Sequence, residues 1–182
     1  MERDHACGRL NPCISRRTLL KGSGAALVST IFLSIPGLKQ AVAAQVARYP
    51  RKKIGTLSSL QVNQPQFFNY PDDTPSAVSM LVKLGVPAGG GIGPEQDVVA
   101  FNTLCPHMGG PLMGMYQKED QALGPCPFHQ STFDLTKHGM VISGHATESL
   151  PQVLLELDGD DIYAVGMIGL IFGRYDNLVS QA

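Results

Sequence analysis

Cys105-Pro-His107 and Cys126-Pro-Phe-His129 each bring a thiol and an imidazole together, with one and two residues between them, and 18 residues separate the two pairs. Thiolate and imidazole are the ligands that zinc and iron–sulfur centres select, whereas calcium and magnesium take oxygen. Two Cys and two His suffice for a tetrahedral zinc ion, but zinc ligands usually come as Cys with Cys and His with His at wider spacing. Here both pairs are mixed. Each also sits in a loop-forming context: Pro106, Gly109, Gly110 and Pro111 around the first, Pro125 and Pro127 around the second. Two loop tips that each supply one ligand of each kind make a metal site, with zinc and iron–sulfur as the competing occupants.

The spacing resembles the Rieske pattern, Cys-x-His followed by Cys-x-x-His. That resemblance implies a 2Fe-2S cluster in which Cys105 and Cys126 hold one iron and His107 and His129 hold the other, solvent-facing iron. Replacing two anionic thiolates by neutral imidazoles makes the cluster less negative, so an added electron is less opposed. Potentials then rise to roughly −150 to +300 mV. By the same resemblance Ser131, two residues after His129, donates its hydroxyl to a sulfide and stabilises the reduced state. Phe133 stands where high-potential members often carry a tyrosine, which leaves one donor out and predicts an intermediate potential. Many Rieske proteins of respiratory complexes also join the two loops by a disulfide. Gly110 and Phe128 occupy those positions here, so the bridge cannot form, and rigidity falls to the prolines and to packing of Phe128, Met108 and Leu112.

Both loops need strands to hold them. Ser76–Leu84 and Gln96–Leu104 are rich in apolar and β-branched residues, and Pro87–Pro94 forms a turn region between them. That glycine-rich turn is followed by neither Lys-Ser/Thr nor a helical pattern, so it is no phosphate loop. Met140–Ser143, Val153–Leu157, Asp161–Gly166 and Ile168–Phe172 continue as strands, and Asp158-Gly-Asp-Asp161 makes a tight hairpin. The three aspartates there lack the spacing of a calcium loop. No helical periodicity follows residue 45. The expected fold is all-β, a Rieske-type antiparallel sandwich with the cluster loops, about residues 103–151, as a subdomain at one end. Gly144–Pro151 falls where a third loop covers the cluster in Rieske domains. His145 in it could be a further ligand or proton carrier, but four ligands already fill the site, so it is expected to be a loop or interface residue; His138, beside Lys137 and Gly139 in a turn, is expected to be simply exposed.

The chain has 182 residues, 43% hydrophobic and 16% charged, and a net charge of −1. Six of its 14 basic residues lie in residues 1–43 with only two of its 15 acids, which leaves eight bases against 13 acids in the remainder. That acidic balance excludes nucleic acid as a partner. Ser15-Arg-Arg-Thr-Leu-Leu-Lys21, the apolar run Gly22–Ile35 and Ala41-Val-Ala43 look like a twin-arginine export signal over residues 1–43. The run of about 14 residues is short for a membrane span, which needs roughly 20. A cleaved signal, a periplasmic location and a mature domain over 44–182 are expected; membrane contact would follow only from an uncleaved signal. Cys7 and Cys13 fall in that leader, so Cys105 and Cys126 remain, with no thiol left for a structural disulfide.

With no nucleophile triad, nucleotide fingerprint or mononuclear iron site, the chain is expected to carry electrons for a catalytic partner rather than transform a substrate. The leader, the disulfide-less site, Val98–Leu104 running into Cys105-Pro-His-Met-Gly, and the closing Gly169–Asn177 make it similar to the small Rieske subunit of arsenite oxidase. The resemblance implies an electron-transfer subunit beside a molybdopterin-containing large subunit, with cytochrome c or a cupredoxin as acceptor. The alternative is the Rieske subunit of a quinol-oxidising cytochrome bc complex.

Overall fold

The computed structural model describes residues 49–177, and the leader lies outside them. Ten strands form two antiparallel sheets: β1 (Lys52–Thr56), β2 (Gln66–Asn69), β3 (Val78–Lys83), β4 (Val98–Asn102), β5 (Tyr116–Gln117), β6 (Ala122–Leu123), β7 (Thr132–Asp134), β8 (Met140–Ser143), β9 (Gln152–Asp158) and β10 (Asp161–Ile168). The larger sheet has the order β1-β10-β9-β4-β3-β2, and the smaller runs β5-β6-β7-β8. Among the described residues the only helical segments are three single 3-10 turns, and no helix is long and apolar enough to cross a membrane.

Side chains on β3 and β4 alternate between two cores, as the period of two demands. Met80, Val82, Val99 and Phe101 join a core that also contains Leu112, Leu123, Phe133, Leu135 and both cysteines, Cys105 and Cys126. Leu81, Val98 and Ala100 face the other way and pack with Val153, Ile162, Ala164 and Met167 of β9 and β10. The large sheet is therefore folded over itself, helped by the register shift between Ala164 and Gly166, because a bulge bends and twists a strand. Burial on both faces explains why β3 and β4 read as continuous apolar runs.

The excursion that carries the site leaves and returns at one place. Ala100 and Phe101 of β4 lie opposite Val153 and Gln152 of β9, so residues 103–151 start and finish on neighbouring strands. Within that excursion the small sheet presents three loops: 105–111 before β5, 124–131 between β6 and β7, and 144–151 between β8 and β9. The expected sandwich with a loop subdomain is what forms.

Three expectations need correction. The basic stretch up to Lys53, whose run of Arg and Lys reads in sequence as a linker, is instead part of the sheet, since Lys52 and Lys53 open β1 and pair with Ala164 and Tyr163 of β10. Ile168–Phe172 does not make a separate strand. Ile168 ends β10, and Gly169, at φ +82°, turns the chain out of the sheet. Met108 and Phe128 do not pack inward as Leu112 does: both are 55% exposed. The aspartate hairpin behaves as turn chemistry, with Asp158 on Arg51, Asp161 on Lys53 and Asp160 accepting from Ser58.

Candidate metal centre

The first two loops share one backbone design. In the first, the Cys105 amide donates to the Gly110 carbonyl at 2.9 Å and the Gly109 amide donates to the Cys105 carbonyl at 2.8 Å. In the second, Cys126 donates to Ser131 at 2.8 Å and Gln130 to Cys126 at 2.9 Å. The fifth residue of each turn takes a left-handed conformation, Gly109 at φ +67° and Gln130 at φ +60°. Such turns aim the residues in the middle of the loop away from the sheet, which is where His107 and His129 lie.

The four sequence-predicted residues come together as two pairs. Cys105 and Cys126 are buried and unbridged. Burial pushes the Cys105 thiol up, while hydrogen bonds from the His107 backbone N–H and the Ser131 hydroxyl pull the other way, and the neighbouring Cys126 raises it further. Two adjacent thiols in an apolar core ionise reluctantly unless a cation compensates them. The His107 and His129 rings lie edge to face with centroids 4.7 Å apart. Both Nδ1 atoms are buried and have no hydrogen-bond partner. An unpaired buried polar atom costs about 1–3 kcal/mol, so two facing one another call for a shared occupant. A buried pair of free thiols beside a buried pair of imidazole nitrogens suits a binuclear cluster held two and two.

Ser131 is buried where its two functions separate. Its Oγ accepts the amides of His145 and Ala146 at 3.1 and 3.0 Å, which ties the third loop to the second. Its hydroxyl also hydrogen-bonds the Cys105 sulfur, a protein sulfur where the resemblance implied a cluster sulfide. Gly144 makes this possible, because a Cβ there would collide with the Ser131 backbone. Gly110 is equally constrained: an added Cβ would stand 2.5 Å from Cys126 Sγ and 3.2 Å from the Phe128 ring. Phe128 thus covers the spot where an inter-loop disulfide would lie.

Two histidines set aside on sequence differ in fate. His138, exposed in a left-handed turn, meets Gln152 at 2.8 Å and has only a structural contact. His145 stands at the site, its ring 5.9 Å from that of His107 and 5.7 Å from that of His129. The third loop that carries it is tied to the second by the amides of His145 and Ala146 on Ser131 Oγ.

The Rieske 2Fe-2S domain matches residues 56–154, more than half of the chain. The chain belongs to the Rieske 2Fe-2S family. Its domain accordingly carries a Rieske cluster, and the nearly all-β architecture is the Rieske fold. The chain is also similar over almost its full length to the iodate reductase subunit IdrB of Denitromonas iodatirespirans, 56% identical over 175 residues, or 96% of this chain and 92% of that one. The same subunit of Pseudomonas sp. strain SCT is 54% identical over 170 residues, covering 93% and 88%. Among solved structures, the soluble domain of Rieske protein II (soxF) from Sulfolobus acidocaldarius matches 70% of this chain and 83% of its own, with a TM-score of 0.60 and 25% identity.

Proposed function

We propose that this chain is the electron-transfer subunit of a molybdopterin oxidoreductase, with Cys105 and Cys126 on one iron and His107 and His129 on the other. The observation that carries the ligand set is the pair of buried, unpartnered Nδ1 atoms beside two buried free thiols. The cluster, when bound, supplies a reversible one-electron couple near the surface. The residues do the rest. His107 and His129, half-buried, form the exposed end through which a partner exchanges electrons. Ser131 favours the more negative state by offering its proton to sulfur, and the apolar core behind Cys105 and Cys126 keeps water from the thiolates.

Similarity over nearly the whole length to iodate reductase subunits supports iodate as the substrate of the catalytic partner, which this chain would serve as a non-catalytic subunit. Iodate is an oxidant, so electrons would run from a cytochrome c or cupredoxin donor through this chain to the large subunit. Arsenite oxidase, suggested by the twin-arginine-like leader and the closing Gly169–Asn177, is the second reading and runs the other way, with cytochrome c or a cupredoxin as acceptor. The leader supports export of the folded, cluster-loaded chain over residues 1–43 to the periplasm, although it lies outside the described residues.

The two readings differ in sign, which makes the test direct. The complex is purified through a tag on this chain, analysed for molybdenum, and followed by EPR. Molybdenum with a reduced-cluster signal that iodate bleaches is the expected result. An oxidised cluster that arsenite reduces would move the assignment to arsenite oxidase, and reduction by quinol without molybdenum would overturn both.

A further inference from the structure

We infer that the closing strap, Gly169–Asn177, is the restraint that fixes the first cluster loop, taking over the mechanical task that a disulfide between the loops performs elsewhere. The inference rests on the ligand reading above and names residues that position His107 without touching the cluster.

The strap is a closed unit. Asn177 is buried at its base, donating to the Gly169 carbonyl at 2.6 Å and accepting the Ile171 amide at 3.0 Å. Between them Ile171 is fully buried in the core formed with β9 and β10. Its outer turn is closed by the Arg174 amide on the Ile171 carbonyl at 3.2 Å. A loop pinned at base and centre moves as one body.

That body grips the first cluster loop at its tip and, through a short relay, at its root. At the tip, the Phe172 ring lies directly on Gly109: a Cβ there would be 2.5 Å from the ring. Gly109 is the left-handed residue that closes the turn around His107. At the root, the Arg174 guanidinium donates to Asp72 at 2.7 and 3.0 Å and to Ser76 Oγ at 2.9 Å, and also meets Thr74. The Ser76 carbonyl in turn accepts the Asn102 side-chain amide at 2.9 Å, and Asn102 Oδ1 accepts the Leu104 amide at 3.0 Å. Leu104 precedes Cys105. A bidentate arginine holds geometry in a way a point charge does not, and at 13% and 21% side-chain exposure the Arg174–Asp72 pair is mostly, though not wholly, covered.

Phe128 over Gly110 completes the arrangement from the second loop. Two aromatic rings thus sit on the two consecutive glycines of the first loop, Phe172 on Gly109 and Phe128 on Gly110, where a covalent bridge is impossible. Phe172 is the one brought from distant sequence, and it is anchored by Arg174.

The test uses the full-length, cluster-loaded chain in its native complex, comparing Phe172→Ala, Phe172→Leu and Arg174→Lys with wild type. The readouts are the rate at which a chelator bleaches the visible spectrum and the EPR line shape of the reduced cluster. Phe172→Ala should lose the cluster about tenfold faster, the change that about 1.4 kcal/mol of lost restraint gives, with broadened EPR lines. Phe172→Leu should recover most of the wild-type behaviour, and Arg174→Lys should fall between. Tyr175→Ala, a change to a fully exposed side chain on the same strap, should match wild type. Wild-type rates and line shapes in both Phe172→Ala and Arg174→Lys would overturn the inference and leave the ligand reading intact. A wild-type chain without a Rieske spectrum would instead overturn the ligand reading.

Discussion

Ser131 holds two amides with its oxygen and a sulfur with its proton, and these tasks respond differently to substitution. Ser131→Ala removes a donor that favours the reduced state, so the midpoint potential should fall by roughly 60 mV, the one-electron equivalent of about 1.4 kcal/mol. It also strips the buried Ala146 amide of its acceptor, which should cost about 1–3 kcal/mol of stability. Phe133 is fully buried in the core that contains both cysteines, and Phe133→Tyr should move the potential upward. Redox titration of both variants checks the pair; a rise on Ser131→Ala would contradict the role given to the hydroxyl. That Cys105, His107, Cys126, His129 and Ser131, the proposed cluster site, lie together was legible because each stands a fixed short step along its own loop. His145 was legible only as part of the covering third loop, not as a ring beside both imidazoles, because that place depends on a contact made across loops, and Phe172 was not legible for the same reason over a longer separation.

At the scale of elements, the strap and the β3 approach are locked by one ion pair whose strength depends on pH. Arg174 holds the Asp72 carboxyl well below the usual carboxylate range, against the opposing effect of burial. A depressed folded-state pKa adds stability that is fully present at neutral pH and disappears as pH falls below the unfolded carboxylate value, about 3.9, toward the folded one. With part of the pair open to solvent, that contribution is about 1 kcal/mol. Wild type should therefore lose stability to urea between pH 5 and roughly pH 3 more steeply than Asp72→Asn, measured as the denaturation midpoint. Parallel curves would mean that the pair adds nothing. The strands themselves were visible as apolar runs where both faces are buried, as in β3 and β4. The two-residue strands β5 and β6 carry no periodicity, and β1 looked like a linker because its lysines point to Asp73 and Asp161 at the surface. The strap looked like a strand because Ile168–Phe172 is apolar, yet Gly169 turns it outward and only Ile171 enters the core.

For the whole molecule, the domain puts its chemistry on an excursion between adjacent strands β4 and β9, so a rigid folded sheet supports loops free to serve a partner. Exposed Met108, Phe128, Leu170 and Phe172 lie toward the end of the domain that carries two half-buried imidazoles, which suits one-electron exchange with a partner. That much followed from the motif. The direction of electron flow did not, because on the proposed reading the substrate belongs to another subunit.

The most direct test of the account is pulsed EPR on the dithionite-reduced full-length chain, together with iron and sulfide analysis. Equal iron and sulfide, with strongly coupled nitrogens from both His107 and His129, one of them lost in each single His variant, is the predicted result. A sulfide-free metal, or nitrogen couplings that survive both substitutions, would contradict it.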